Sequence, residues 1–497
     1  MSLFRKKDLT AMLAQSEDGG KGLKRTLGAG NLIALGIGAI IGAGLFVRTA
    51  AAAGQAAGPA VTISFIIAAV GCAFAGLCYA EFAAMIPIAG SAYAYSYVTM
   101  GELVAWIIGW ALIMEYALGA ATVSIAWSEY LNKLTGGAIP YEWSHSPFES
   151  FTDSMGVAHS GIMNAPALII LLALTLLLIR GSQESAIVNA VIVFIKVAIV
   201  IIFIAIGWQF IKPENHTPYM IPAEQAAVTD SAGKVIADYS GAFKHGWGGV
   251  LGGAAIVFFA FIGFDAVSTA AQEAKNPKRD MPIGILGSLV VCTILYILFG
   301  HVLTGVANWK DFVDPEKGRE ASVAYAISTY MTGYGWLATA VTVAILAGFS
   351  SVILVMLMGQ SRIFYSMSKD GLLPKAFGDL HPKYQTPYKS NWILFVFVGL
   401  FAAFVPGSVA GDLTSFGTLF AFVLVSLGVW ILRRKSPEME RPFKTPLVPL
   451  VPILGAVICL AMIFALDMQT LKVAFIWMII GLFVYFLYSK KTSKLNK

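Results

Sequence analysis

Long apolar runs alternate with short polar segments along almost the whole chain. Runs of about twenty residues with few charges match the length that carries a helix across the hydrocarbon core of a bilayer. The pattern predicts about twelve such spans, at 30–55, 60–86, 102–131, 164–180, 187–210, 247–272, 283–306, 336–366, 391–406, 413–432, 447–466 and 471–488. The expected fold is therefore an all-α integral membrane protein. Residues 1–28 are polar and basic, with Arg5, Lys6, Lys7, Lys21, Lys24 and Arg25. No cleavable leader is expected, because the first apolar run is already long enough to span. Loops at 273–282, 362–390 and 433–445 are basic, whereas those at 132–163, 211–246 and 307–335 are mixed or acidic. Basic residues collect on the cytoplasmic side of a membrane protein; with both termini inside, roughly 24 Lys and Arg fall there and about 9 outside.

These alternations divide the chain into a cytoplasmic tail (1–28), a first unit of five spans (29–210), an extracellular loop (211–246) and a second unit of five spans (247–434). A final pair of helices (435–490) and a cytoplasmic C-terminus (491–497) follow. Composition agrees with a multi-pass protein of the cytoplasmic membrane. The chain is 58% hydrophobic and only 12% charged, which no soluble globular domain approaches. Its net charge of +6 does not point to nucleic acid, since the basic residues sit in short loops. Cys72, Cys78, Cys292 and Cys459 all fall in apolar runs without metal spacing and read as packing residues. The histidines form no metal-like pair.

The first span contains Gly36-Ile37-Gly38-Ala39-Ile40-Ile41-Gly42-Ala43-Gly44-Leu45-Phe46. Glycine destabilises a helix interior by up to about 1 kcal/mol against alanine, and broken helix is tolerated in a membrane only against protein or a water-filled cavity. A break near Gly42–Gly44 would bare the N–H groups of Ala43, Gly44 and Leu45 at the positive end of the second half-helix, which suits a carboxylate. The carbonyls of Ile40 and Ile41, at the end of the first half, suit an ammonium. The plain alternative is helix packing, because Gly38-x-x-x-Gly42 is also a small-xxx-small motif. The sixth span carries a second interruption, Phe259-Ala260-Phe261-Ile262-Gly263-Phe264-Asp265. It offers the carbonyls of Phe259, Ala260 and Ile262 to the same ammonium, and the Phe259 ring to close the site; packing or lipid contact is the alternative for that ring. Interrupted helices at matching positions of two halves are the best sequence pointer to a transporter site.

Ionisable residues deep in spans default to function. Lys196 lies in mid-span and can release a proton inside a cavity, which would couple proton flow to transport; the alternative is a fixed ammonium pinning two helices. Glu115 either pairs with a lysine, carries a proton or faces a cationic substrate, against a protonated structural carboxyl. Ser350 and Ser351 offer hydroxyls to the Lys196 ammonium, although serines in such helices often bond their own backbone. Arg48, late in the first span, is expected to snorkel outward. The run from Glu273 to Pro282 and the run from Arg362 to Pro374 read as charged clasps or solvated faces.

Taken in order, Gly42-Ala43-Gly44-Leu45-Phe46, Tyr79-Ala80-Glu81-Phe82 with Pro87-Ile88-Ala89-Gly90, Phe261 to Asp265, Glu273-x-x-Asn276-Pro277-x-Arg279 and Asp370-Gly371-Leu372-Leu373-Pro374 resemble the amino acid–polyamine–organocation (APC) superfamily of permeases. Within it, Gly101-Glu102 through Glu115-Tyr116, Glu184-Ser185-Ala186 with Asn189, and Asp412-Leu413 through Leu419 are most similar to the cationic amino acid transporter family, in its shorter bacterial form. The resemblance implies a leucine-transporter type (LeuT) fold, a five-plus-five inverted repeat with broken first and sixth helices and two added helices.

The same resemblance places a substrate carboxylate on the amides of Ala43 and Gly44 and its amine on the carbonyls of Ile40, Phe259 and Ile262. It puts the Lys196 ammonium where sodium-driven relatives bind Na⁺, facing the carbonyls of Gly38 and Ile41 and the hydroxyls of Ser350 and Ser351. No cofactor is expected, the driving force being a proton gradient, and no sodium site, because Lys196 would occupy it. One departure bears on substrate: Met356 stands where eukaryotic members carry a small residue. A thioether in the pocket wall excludes long side chains. The expectation is proton-coupled symport of small neutral L-amino acids such as alanine, with a cationic substrate or amino-acid exchange as the alternative. No catalytic cluster suggests an enzyme. Expected partners are the L-amino acid, protons and the lipid bilayer; a small single-span membrane partner would leave no readable mark.

Overall fold

The computed structural model describes residues 5–7, 27–86, 91–153, 155, 157–180, 186–230, 233–269, 274–314, 317–318, 322–384 and 386–496. Lys21, Lys24, Arg25, the Pro87–Gly90 piece, Glu184-Ser185 and Glu273 lie outside them.

The chain is overwhelmingly helical. In order, the main helices are α1 (Ala29–Ile40), α2 (Val61–Met85), α3 (Ser91–Thr99), α4 (Glu102–Ile113), α5 (Gly119–Leu134), α6 (Ala165–Arg180), α7 (Ala186–Gly207) and α8 (Gly246–Val257). Then come α9 (Ala266–Thr269), α10 (Pro277–Val306), α11 (Ser322–Tyr330), α12 (Gly335–Lys369), α13 (Tyr388–Phe404), α14 (Gly407–Lys435), α15 (Leu450–Phe464) and α16 (Met468–Val484). Among the described residues, seven helical stretches are long and apolar enough to cross a membrane, and shorter apolar helices stand at Ala29–Ile40, Ala165–Arg180, Gly246–Phe261, Tyr388–Phe404 and Leu450–Phe464. Helix is the outcome that physics leaves open here, since lipid supplies no partner for a bare backbone group. The small strands lie in the polar loops: Ser150–Thr152 pairs antiparallel with Ala158–Ser160, and Val228–Thr229 with Val235–Ala237.

Glycine allows the helices around the first span to approach closely. A Cβ on Gly36 would meet the Ser288 hydroxyl at 2.5 Å, and one on Gly284 would meet the Leu32 Cβ at 2.7 Å. So α1 lies against α10 with almost no side chain between them. Gly76 of α2 meets Leu289 of α10 in the same manner. The four cysteines are buried and free, as their apolar runs predicted.

Both chain ends gather on one face of the bundle. Lys7 pairs with Asp370 at 2.8 Å, Arg5 donates to the Leu495 carbonyl at 2.6 Å, and the Ser493 hydroxyl reaches Glu102 at 2.5 Å. On the same chain, Leu27 bridges Ala274, and the Lys275 N–H donates to the Leu27 carbonyl at 2.8 Å. Ala274 and Lys275 therefore hold the start of the first span to the segment that leads into α10, and the 362–374 run receives both termini. Glu81, almost fully buried, takes two hydrogen bonds from Arg433 at 3.1 and 2.8 Å and one from the Thr445 N–H at 2.7 Å, with Arg441 at 3.3 Å.

Candidate substrate and coupling site

The first span is broken where its glycines crowd. Helix α1 stops at Ile40, Ile41 turns extended (φ −73°, ψ 105°), and helix resumes as a π turn over Gly44–Arg48. The new segment starts without partners for its first amides, as every helix does. The Gly42 carbonyl takes the N–H groups of Leu45 and Phe46 at 3.1 and 3.4 Å, which leaves the N–H groups of Ala43 and Gly44 at the head of the half-helix.

The sixth span breaks opposite. After α8 the chain tightens into a 3-10 turn at Phe258–Phe261, Ile262 becomes extended, and Gly263 takes φ 111° before α9. That φ favours glycine, and a Cβ there would also strike the Ala39 carbonyl at 2.8 Å. The two breaks touch: a Cβ on Gly44 would come 2.2 Å from the Ala260 Cα. Phe259 is buried beside them.

Three of the carbonyls expected to face an ammonium, those of Ile40, Phe259 and Ala260, have partners within the protein. The Tyr296 hydroxyl of α10 lies 3.0 Å from the Ile40 carbonyl and 2.8 Å from the Ala260 carbonyl, so one hydroxyl ties the two breaks together. The Phe259 carbonyl accepts the Ile262 N–H at 3.3 Å. Nothing in the sequence singled out Tyr296, one aromatic among many in apolar runs.

Lys196 of α7 is buried and donates to the Gly38 carbonyl at 3.0 Å, in the first half-helix as expected. The Ser350 hydroxyl donates to its own helix, at the Leu346 carbonyl, 2.9 Å away, which leaves its oxygen lone pairs for an ammonium. The long apolar run of α12 lets a serine satisfy itself within one turn. Ser351 is buried next to it. Gly348 is the residue of α12 that accommodates the lysine stem, since a Cβ there would lie 2.7 Å from Lys196 Cε.

One face of α12 joins the parts of this region. At helical spacing, Gly348 meets Lys196, Val352 meets Gly42 (3.1 Å from a Cβ placed there), Met356 meets Gly119, and Gly359 meets the Tyr116 ring. Tyr116 donates to Asp265 at 2.6 Å. Glu115, beside it in a π turn at Met114–Leu118, is wholly buried and faces Asp265 and Thr418 rather than a lysine. Irregular π turns of this kind recur at functional sites.

Arg48 corrects an expectation. It does not snorkel; it is buried and forms an ion pair with Asp412 of α14. A partner on the neighbouring helix satisfies the guanidinium better than a long reach to water. Beyond this pair, toward the end of the first span, a cavity of about 230 Å³ is lined by Gln55, Lys244, Ile256, Asp412 and Asp467 among others. Among the described residues no group of three or more His, Cys, Asp or Glu is arranged to hold a metal.

Comparison with known proteins follows the same lines. A family model described as amino acid permease matches residues 27–486. Branched-chain amino acid permease BcaP of Bacillus subtilis (strain 168) is 42% identical over 500 residues, covering 100% of this chain and 99% of its own. The methylthioribose transporter of the same strain is 41% identical over 498 residues, 100% of each chain. Human cationic amino acid transporter 4 is 34% identical over 439 residues, 86% of this chain and 63% of its own. A match over nearly the whole chain, on apolar helices with two interruptions, identifies a membrane-embedded transporter rather than an enzyme: the chain belongs to the amino acid permease family of the APC superfamily.

Proposed function

We propose that this permease is a proton-coupled symporter of small neutral L-amino acids such as alanine in the cytoplasmic membrane, with both termini inside. On this reading about twelve spans form two inverted units of five and a final pair, and substrate binds between the broken first and sixth helices. Its carboxylate takes the N–H groups of Ala43 and Gly44, and its ammonium takes the carbonyls of Ile40, Phe259, Ala260 and Ile262. Lys196 carries the coupling proton in contact with the Gly38 carbonyl, with Glu115 as a second titrating group. Arg48 and Asp412 close the outer side.

The observation that carries the reading is the meeting of the two breaks at Gly44 and Ala260, with Lys196 seated on the half-helix that leads into the first. Met356 favours small neutral side chains such as that of alanine. Relatives named for branched-chain amino acids in Bacillus subtilis and Lactococcus lactis support a neutral, apolar substrate. Relatives named for cationic amino acids, and the buried Glu115, support the second reading, a cationic substrate.

A thermal-shift panel of the standard amino acids on the purified protein, at about pH 5.5 and about pH 7.5, separates the two, because a ligand that binds the folded state raises its apparent stability. Stabilisation by alanine and other small neutral amino acids supports the proposal, and stabilisation by arginine and lysine alone overturns it. Uptake of labelled alanine into liposomes free of internal amino acid, driven by an acid exterior, tests symport; a strict need for internal amino acid would make the protein an exchanger.

A further inference from the structure

We propose that Gly119 sets the length of side chain this transporter accepts, by fixing where the Met356 thioether lies. The inference rests on the reading of Met356 as a wall of the substrate site. Gly119 opens α5 directly after the π turn at Met114–Leu118 and is buried. A Cβ on it would lie 2.9 Å from Met356 Sδ, 3.2 Å from its Cε and 3.4 Å from Thr414 Cγ2. The end of the methionine thus rests on the bare backbone of α5, in space that only a glycine leaves.

Met356 follows Val352 by one turn of α12, and Val352 is the side chain that meets Gly42 at the first break. With Met356 read as a wall of the site, the thioether borders the region where a substrate side chain would extend. A methyl group at position 119 would displace the Met356 terminus rather than the helices, because methionine is unbranched and turns about three soft bonds. The Thr414 methyl bounds the vacated side. On the proposal, the displaced terminus turns back toward Val352 and the break, into the substrate's side-chain space. Gly119 is a positioning residue: it touches no substrate, and acts through Met356.

The test compares Gly119→Ala, Met356→Ala and the double variant in proteoliposomes, reading the ratio of kcat/KM for leucine to that for alanine. A single methylene in an apolar pocket discriminates by about tenfold or more. Gly119→Ala should lower the leucine-to-alanine ratio by about that factor while the KM for alanine stays near its original value. Met356→Ala should raise the ratio, and adding Gly119→Ala to it should leave the ratio unchanged. If Gly119→Ala alters the ratio equally in both backgrounds, or not at all while Met356→Ala does, the coupling through Met356 is wrong. If Met356→Ala itself leaves the ratio unaltered, the wall assignment fails and the proposal with it. The double variant removes the steric conflict, so its comparison with Met356→Ala stands even where Gly119→Ala alone is too unstable to purify.

Discussion

Gly44 and Ala260 meet backbone to backbone. A Cβ on Gly44 would lie 2.2 Å from the Ala260 Cα and 2.7 Å from its nitrogen, and backbone cannot rotate away as a side chain can. Gly44→Ile should therefore force the two breaks apart and abolish amino-acid binding and uptake. Overpacking of this sort costs about 1–3 kcal/mol or more, so folding should be weakened but retained. Equilibrium binding of labelled alanine to the purified variant checks it; uptake at the original rate would remove these residues from the site.

Tyr296→Phe deletes the hydroxyl that serves the Ile40 and Ala260 carbonyls. A buried acceptor left without a donor costs about 1–3 kcal/mol. Should a substrate ammonium reach the same carbonyls, it would replace the lost donor. The variant should then lose more thermal stability without amino acid than when saturated with it. An equal loss in both conditions would mean that the ammonium binds elsewhere.

Lys196→Ala should leave amino-acid binding measurable and remove the acceleration of uptake by an external acid pH. Gly348→Ala is the gentler variant: its methyl would come within 2.7 Å of Lys196 Cε, shifting the ammonium on Gly38 and weakening the same pH response. An unaltered pH profile in Lys196→Ala would make the lysine a structural pin.

Glu81 binds Arg433, Arg441 and the Thr445 N–H from a nearly inaccessible position. Removing one partner of a buried ion pair strands the other, at about 3–5 kcal/mol. Glu81→Ala should show one of the larger drops in thermal stability among single substitutions on this face, and Arg433→Ala a smaller one, since the Arg433 side chain is 25% exposed. Melting of the two purified variants ranks them.

His216, in the 211–246 loop, donates from Nε2 to the His301 carbonyl at 3.2 Å, and the two rings lie 4.6 Å apart. Burial first, and the neighbouring His301 second, lower its pKa below the ordinary 6.5. The folded protein thus resists protonation there more than the unfolded chain does. As pH falls through about 6.5 the unfolded chain takes up the proton first, so this contribution to stability is present above that pH and is lost below it. His216→Gln should flatten the fall of melting temperature on acidification. A melting curve with the same pH dependence as the parent would show that the loop histidine does not contribute.

The sequence by itself determined the membrane-spanning helical character, through apolar runs too long and too weakly charged for any other solvent. It also determined where two helices break, because Gly42, Gly44 and Gly263 cannot be sustained mid-helix without a reason, and it marked Lys196 and Glu115 by the expense of placing charge in lipid. The tertiary structure decided which groups meet. Arg48 carries no local sign of its partner, because Asp412 stands far along the chain on another helix. Tyr296 is one aromatic among many until α10 brings its hydroxyl between two helix breaks. Apolar periodicity and helix-breaking residues act locally and are written in the chain, whereas pairings between helices depend on which faces touch.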